Sequence, residues 1–237
     1  MQRILIAFEF LTFRMHHRPI RISPEQVGEA AVYFPLVGFG LGLVLNFVNR
    51  VMEPYLGSEL LSVTLVAILV VMTGAIHLQG LERTFDGLGA HRGIADRTVP
   101  PLGIYGLMAI LFVVLLKVRS VEVIGETLGL SLLLTPMLAR WGLVMFLYGS
   151  TSALDDIARI AARHVKTWHM LVTTVATLTL AFYLAGRTAL WISLCVSLLA
   201  LLGRYFLSRR YGGISYDNFG ALVEISEAVA LVFFASV

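Results

Sequence analysis

Apolar runs of about twenty residues recur along the chain and are separated by short polar connectors. A helix of about twenty apolar residues is long enough to cross the hydrocarbon core of a bilayer. The pattern therefore predicts an all-α fold, a polytopic membrane helical bundle that forms a single domain over residues 1–237. About seven transmembrane helices are expected, at residues 30–49, 59–76, 102–118, 127–148, 167–185, 188–207 and 219–237.

The N-terminal segment differs from these runs. Residues 1–15 contain the apolar stretch ILIAFEFLTF, which is interrupted by Glu9 and is too short to span a bilayer. This pattern predicts an N-terminal interfacial or re-entrant helix. Ser23-Pro24-Glu25-Gln26 forms a capping box and is expected to begin the helix that becomes the first span. Gly38, Gly40 and Gly42 lie in that continuous apolar run, so they predict close helix packing rather than a phosphate loop.

The composition agrees with a membrane protein. The chain is 58% hydrophobic and 14% charged, with a mean hydropathy of +0.84, which lies outside the range of soluble globular domains. A net charge of +3 without a stripe of Lys and Arg among aromatic residues argues against a nucleic-acid partner. The single cysteine, Cys195, excludes an intramolecular disulfide and a cysteine metal cluster.

The distribution of Lys and Arg over the connectors predicts the orientation. Alternate connectors, beginning with the N-terminal segment, carry thirteen of these residues, and the other connectors carry four. The positive-inside rule therefore places the N-terminus and both polar segments described below on the cytoplasmic face of the inner membrane. Lys117 is counted with a connector, and Arg140 is the only basic residue left inside a span.

The first polar segment is GAIHLQGLERTFDGLG, at residues 74–89. Glu82 and Asp86 are four residues apart and share one face of a helix, with Arg83 on their flank. Two carboxylates here suit magnesium, which takes one or two carboxylates together with substrate phosphate oxygens. A solvated connector with local ion pairs is the alternative. His77 is expected to act as a general base toward a hydroxyl group or as an interfacial hydrogen-bonding residue.

The second polar segment is GGISYDNFGALVEISE, at residues 212–227, which leads into the last apolar run. Backbone N–H groups at a helix N-terminus bind phosphate, so the glycine-rich turn is a candidate substrate site. Asp217 is expected to reach a metal on that phosphate, to cap the helix, or both. Glu224 and Glu227 lie three residues apart inside the apolar run, where each charge costs about 2.5–3.5 kcal/mol near the bilayer centre. Their partner is expected to be Arg140, a shared metal ion or a polar pocket.

Five segments resemble, in order, the motifs of a known family: FLTFR, YFPLVG, TGAIHLQGLERTFDGL, LGIYG and GGISYDNFGALVEISE. The family patterns read approximately FLTR, YFPLVG, TGGxHLDGLADTxDG, DSRxGTxG and GGxTGDxxGAxxExxE. Along nearly its whole length the chain is therefore similar to cobalamin synthase, the adenosylcobinamide-GDP ribazoletransferase family.

The chain departs from these patterns at several polar positions. Gln79 and Arg83 stand where the family has its first two aspartates, and residues 99–101 stand opposite its Asp-Ser-Arg. Ser215 and Tyr216 replace Thr and Gly. The acids that match are Asp86, Asp217, Glu224 and Glu227. Two alternatives follow: a divergent enzyme with rearranged metal ligands, or a paralogue that keeps the fold without the transfer reaction.

The resemblance implies an enzyme that joins adenosylcobinamide-GDP to α-ribazole, or to its 5′-phosphate, with release of GMP. A divalent cation, expected to be Mg²⁺, would neutralise the diphosphate. Under this hypothesis the catalytic residues are His77, Asp86 and Asp217. The residues assigned to substrate binding are Arg83, Arg140, Gly212, Gly213 and Ser215. The residues assigned to the metal are Glu82, Asp86, Asp217, Glu224 and Glu227.

Other functions remain as alternatives. These are a phosphotransferase acting on another alcohol, such as a lipid alcohol, a non-catalytic corrinoid-binding paralogue, and a small membrane transporter. The sequence has no convincing internal symmetry of the kind that many transporters have. The lipid bilayer is an expected partner, and the sequence is compatible with both a monomer and a homo-oligomer.

Overall fold

The computed structural model describes residues 2–12, 22–89, 103–151 and 156–236. Three arginines of the N-terminal segment, Arg14, Arg18 and Arg21, lie outside these ranges, as do positions 99–101, which stand opposite the Asp-Ser-Arg of the family pattern. The described helices are α1 (Gln2–Leu11), α2 (Pro24–Ala30), α3 (Phe34–Met52), α4 (Ser58–Met72), α5 (Ile76–Gly89), α6 (Ile104–Val123), α7 (Leu128–Leu147), α8 (Asp156–His164), α9 (Thr167–Tyr211) and α10 (Tyr216–Ala235), with a 3-10 turn at Ala31–Tyr33.

Helix α9 is a hairpin of two halves rather than one straight rod. Gly186 has φ 54° and ψ −131°, which interrupts the helix near its middle. The hydroxyl groups of Tyr148 and Thr167 lie 3.1 Å apart, and the carbonyl oxygen of Tyr148 accepts a hydrogen bond from Arg204. A straight helix would separate Thr167 from Arg204 by about 55 Å, so the chain must reverse at Gly186.

The membrane-spanning pattern agrees with the sequence prediction. Among the described residues, five helical segments are long and apolar enough to cross a membrane, and the bent pair of α4 and α5 gives a sixth if it is counted as one span. The two halves of α9 correspond to the predicted spans at 167–185 and 188–207, so counting them separately gives seven. The protein is therefore a polytopic membrane helical bundle, as predicted.

Helix α7 lies at the centre of the bundle and packs against α3, α9 and α10. In its most apolar stretch, 83% of the residues are buried. Gly38 and Gly42 of α3 lie against its backbone, and a methyl group at Gly42 would come 2.6 Å from the Leu133 carbonyl oxygen. The predicted close packing is confirmed at these two glycines. It is wrong for Gly40, because no heavy atom lies within 4 Å of a methyl group placed there.

The N-terminal helices close one end of the bundle. Helix α1 has ten residues, about 15 Å, which is too short to span a bilayer, and it buries Ile6, Ala7 and Leu11. The predicted capping box is confirmed, because the Ser23 hydroxyl accepts from the Gln26 N–H and the Gln26 side chain accepts from the Ser23 N–H. Helix α2 packs against α8 at the same end.

The polar segment at 74–89 is a helix set at 88° to α4, rather than a connector. The predicted span at 59–76 ends early, at Met72. Gly74 and Ala75 then adopt left-handed backbone conformations, with φ 58° and 57°. Ala75 is the only residue other than glycine with a positive φ among those that the structure describes. A left-handed alanine is strained, because its Cβ approaches the following carbonyl oxygen.

Replacing Ala75 by glycine should therefore stabilise the protein. Relief of the left-handed strain is worth about 1–2 kcal/mol, so unfolding of the detergent-solubilised protein should shift to higher temperature. Ala67→Gly is the matched control, because Ala67 lies in the middle of α4 with its side chain exposed. That change should destabilise by about 0.5–1 kcal/mol. If both changes destabilised the protein equally, the conclusion that Ala75 is strained at the bend would be wrong.

Candidate active site

The two polar segments meet where α5 crosses the beginning of α10. A methyl group at Gly80 would lie 2.5 Å from the Asp217 carbonyl oxygen, and one at Gly220 would lie 2.6 Å from the His77 carbonyl oxygen. Only glycine allows the two backbones to approach this closely. The structure therefore brings together the two segments that the sequence pairs.

A cavity of about 100 Å³ lies beside this crossing, between α1, α5 and α10. Its polar lining includes His77, Gln79, Arg83, Tyr216 and Asp217. The Arg83 Nη1 atom lies 3.6 Å from the Asp217 Oδ1 atom, and the side chains are 43% and 16% exposed. The cavity thus combines a solvent-accessible guanidinium group with a largely buried carboxylate.

His77 contributes a buried imidazole to the cavity wall. The residue is 5% exposed, and its Nε2 atom has no hydrogen-bond partner among the described residues. Buried polar atoms are usually hydrogen-bonded, so an unpaired nitrogen beside a cavity suggests a partner that arrives with a ligand. A neutral imidazole at this position has the chemistry of a general base.

Apolar surfaces adjoin these polar groups. The rings of Phe10 and Tyr216 meet edge to face with centroids 5.9 Å apart, and both residues line the cavity. A separate apolar groove of about 610 Å³ runs between α1 and the bend before α5, lined by residues such as Phe8, Val71 and Gly74. The polar cavity alone is smaller than the roughly 300–1,000 Å³ typical of small-molecule sites, whereas the groove falls in that range.

The glycine-rich turn before α10 has a structural role. Gly212 ends α9 in a left-handed conformation, with φ 75°, and Ser215 is the N-cap of α10. The Asn218 side chain accepts from the Ser215 N–H at 2.7 Å and donates to the Thr84 hydroxyl of α5 at 3.0 Å. Asp217 is therefore not the cap of this helix.

The cavity lining includes only one of the five expected substrate-binding residues. Gly212, Gly213 and Ser215 are absent from it, because they reverse the chain and begin the next helix. Arg140 is also absent and is fully buried within the bundle. Arg83 is the residue of this group that reaches the cavity.

Glu82 and Asp86 face α6 instead of the cavity. Asp86 accepts hydrogen bonds from the backbone N–H groups of Gly103 at 2.6 Å and Gly106 at 2.7 Å. Its carboxylate therefore caps the N-terminus of α6. Glu82 is 6% exposed, and a methyl group at Gly106 would come 2.8 Å from its Cγ atom. Asp86 lies one turn beyond Glu82 along α5 and reaches the N-terminus of α6, and neither acid is among the residues that line the cavity.

Glu224 and Glu227 belong to a buried ion network with Lys117 and Arg140. The Lys117 Nζ atom donates to Glu224 Oε2 at 2.6 Å and to Glu227 Oε2 at 2.5 Å. The Arg140 guanidinium group donates to the other oxygen of Glu227. The expected pairing with Arg140 is thus correct for Glu227. Lys117, however, lies inside α6, so its assignment to a connector is wrong.

The five acids assigned to a metal are therefore separated into three places. Glu82 and Asp86 lie against α6, Asp217 lies at the cavity, and Glu224 and Glu227 lie in the ion network. No group of three or more His, Cys, Asp or Glu that could hold a metal occurs in the part of the chain that the structure describes. The expectation of one site built from all five acids is corrected accordingly.

Comparisons with known proteins agree with this architecture. A family described as cobalamin-5-phosphate synthase matches residues 3–235. The adenosylcobinamide-GDP ribazoletransferase of Thermoanaerobacter sp. (strain X514) is 27% identical, over 100% of this chain and 98% of the relative. The protein of the same name from Pseudomonas paraeruginosa (strain DSM 24068 / PA7) is 34% identical, over 98% of this chain and 97% of the relative. No solved structure gives a significant match.

Proposed function

Because the chain belongs to the cobalamin-5-phosphate synthase family, we propose that it is an adenosylcobinamide-GDP ribazoletransferase with its active site at the cavity between α1, α5 and α10. The observation that supports this location is the meeting of Arg83, Asp217 and His77 at the N-terminus of α10. A guanidinium group, a carboxylate and an imidazole beside a helix N-terminus suit the transfer of a phosphoryl-type group.

The reaction breaks the phosphoanhydride bond of the diphosphate and forms a phosphodiester bond. A ribose hydroxyl oxygen of α-ribazole, or of its 5′-phosphate, bonds to the corrinoid-linked phosphorus of adenosylcobinamide-GDP. The bond from that phosphorus to the bridging oxygen breaks, and GMP leaves with the bridging oxygen. The proton of the attacking hydroxyl group passes to a base. The products are GMP and adenosylcobalamin, or its phosphate when the acceptor carries one.

The residues at the cavity have different roles in this reaction. Arg83 binds phosphate oxygens, because its guanidinium group is partly exposed and is oriented by Asp217 at 3.6 Å. His77 accepts the proton of the attacking hydroxyl group at its unpaired Nε2 atom. The cavity is too small for the whole substrate, so we assign only the reacting groups to it, and we assign apolar parts of the substrate to the separate groove between α1 and the bend before α5.

Magnesium belongs to this proposal as an ion that enters with the diphosphate. Mg²⁺ commonly uses one or two carboxylates and completes its shell with substrate phosphates and water, and Asp217 is the carboxylate at the cavity. The ion would neutralise charge on the diphosphate. The described acids do not form a preassembled magnesium site.

The site is assigned to the cytoplasmic face of the inner membrane. The cavity lies at the bundle end that also carries Arg3, Arg83 and Arg204, and in the sequence the alternate connectors that begin with the N-terminal segment hold thirteen of the Lys and Arg residues. The positive-inside rule then supports a cytoplasmic N-terminus and active site.

Release of GMP tests the proposed function. Purified protein in lipid nanodiscs, given adenosylcobinamide-GDP, α-ribazole and Mg²⁺, should release one GMP for each adenosylcobalamin formed. Omitting α-ribazole should stop release, and chelating Mg²⁺ should reduce it strongly. No release above the control without α-ribazole would contradict the proposal, and tight corrinoid binding under those conditions would favour the non-catalytic paralogue.

A further inference from the structure

The buried ion network joins three helices. Lys117 lies on α6, Arg140 on α7, and Glu224 and Glu227 on α10. All four residues are at most 3% exposed. Two positive and two negative charges balance, which offsets the cost of charges inside an apolar bundle.

The network lies on the same face of α10 as the active site. Asp217, Gly220, Glu224 and Glu227 follow one another at spacings of three, four and three residues, so they form one stripe along the helix. Glu224 is one turn below Gly220, about 6 Å along the axis. Any rotation of α10 that moved the glutamates would therefore also move Asp217 away from the cavity.

Three further contacts connect the same helices. Asp86 attaches α5 to the first turn of α6. The Gly80 and Gly220 backbones touch where α5 crosses α10, and Asn218 donates to Thr84 across this crossing. These contacts join α5 to α6 and α5 to α10, and Lys117 joins the remaining pair, α6 and α10. Without it, α6 and α10 would lose their ion pairs with each other.

We infer that Lys117, Arg140, Glu224 and Glu227 act together as positioning residues for the active site, and that the two glutamates do not ligate the catalytic metal. The inference rests on the proposed function. Three of the four glutamate oxygens accept hydrogen bonds from Lys117 or Arg140, so both side chains are already paired with cationic groups of the protein. By fixing the rotation of α10, the network sets Asp217 relative to Arg83 and His77.

Neutralising one pair of the network tests this role. Lys117→Met with Glu224→Gln removes a positive and a negative charge together, so no uncompensated charge stays buried, and the Arg140–Glu227 pair is retained. In the folded double variant, kcat should fall about 10- to 100-fold, the range expected when reacting groups are misplaced by up to about 1 Å. The KM values for both substrates and the apparent dissociation constant for Mg²⁺ should change less than threefold.

Arg119→Met is the matched control. Arg119 lies two residues from Lys117 on α6 and pairs with Glu122, but its side chain is 69% exposed. Its kcat should equal that of the wild type. An unchanged kcat in the folded double variant would reduce the network to a purely structural role. A tenfold rise in the apparent dissociation constant for Mg²⁺ in Glu224→Gln alone would identify Glu224 as a metal ligand. Either result would overturn the inference.

A cross-linking measurement separates this inference from the proposed activity. Thr84→Cys with Asn218→Cys, in a Cys195→Ser background, should form a disulfide readily, because these side chains touch in the structure. Adding Lys117→Met with Glu224→Gln should slow the cross-linking at least tenfold. Equally fast cross-linking would refute positioning by the network even if the protein shows no transferase activity.

Discussion

Asp217→Asn should lower the rate of GMP release by roughly 100-fold or more, the usual size of losing one electrostatic group from a preorganised site. The amide is almost the same size as the carboxylate, but it carries no charge, so it cannot form an ion pair with the Arg83 guanidinium group or neutralise a cation on the diphosphate. Arg83 would then lose the group that orients it at 3.6 Å. We expect most of the loss in kcat, measured at saturating substrates and Mg²⁺.

Stability provides the control for this substitution. Asp217 lies in the first turn of α10, where an acid interacts favourably with the helix dipole by about 0.3–1 kcal/mol. That contribution is too small to unfold the protein. Glu59→Gln removes an acid from the first turn of α4, far from the cavity, and should leave activity unchanged. Full activity in Asp217→Asn would remove Asp217 from the site.

Gly220→Ala should separate α5 from α10 and nearly abolish activity. The added methyl group would lie 2.6 Å from the His77 carbonyl oxygen and 3.0 Å from the Gly80 Cα atom, so backbone must move. Overpacking of this kind costs about 1–3 kcal/mol. A shift of about 1 Å between His77 and Asp217 lowers the rate by roughly 100-fold. Thermal unfolding and single-turnover rates measure the two effects separately.

Gly40→Ala is the matched control for this prediction. It makes the same chemical change in a membrane helix, but no heavy atom lies within 4 Å of the new methyl group. Alanine favours a helix over glycine by up to about 1 kcal/mol, so the variant should be at least as stable as the wild type and equally active. If Gly220→Ala behaved like Gly40→Ala, the close helix crossing would be wrong.

Apolar run length predicted most of the membrane architecture. The two halves of α9 correspond to separate predicted spans because Gly186 and the polar Arg187 interrupt the apolar pattern. The bend before α5 had no such signal, since Ala75 continues the apolar sequence. The family pattern has glycine at this position, and the φ of 57° supplies the physical reason for it.

The candidate site was predicted in part. Sequence reasoning paired the correct two segments and selected Arg83, Asp217 and His77, which line the cavity. The matching acid Asp86 caps a helix instead, because spacing along one helix does not reveal which neighbour a face contacts. Three of the departures from the family pattern, Gln79, Arg83 and Tyr216, line the cavity, so the chain departs from that pattern at the proposed substrate site.

Lys117 was missed because it lies near the end of a predicted span. The predicted run ended at residue 118, so a lysine at 117 was counted among the connectors. Helix α6 continues to Val123, which places Lys117 well inside it. A useful signal was present, because two buried glutamates require more than one positive charge and Arg140 supplies only one.

The 88° turn before α5 determines how deeply a substrate must enter the bundle. If α5 continued the direction of α4, His77 and Arg83, six residues apart, would differ by about 9 Å in depth. In the turned helix the same distance runs nearly perpendicular to α4. With α4 along the membrane normal, the proposed base His77 and the proposed phosphate-binding residue Arg83 would lie at similar depth, and a substrate would reach both without passing between the transmembrane segments.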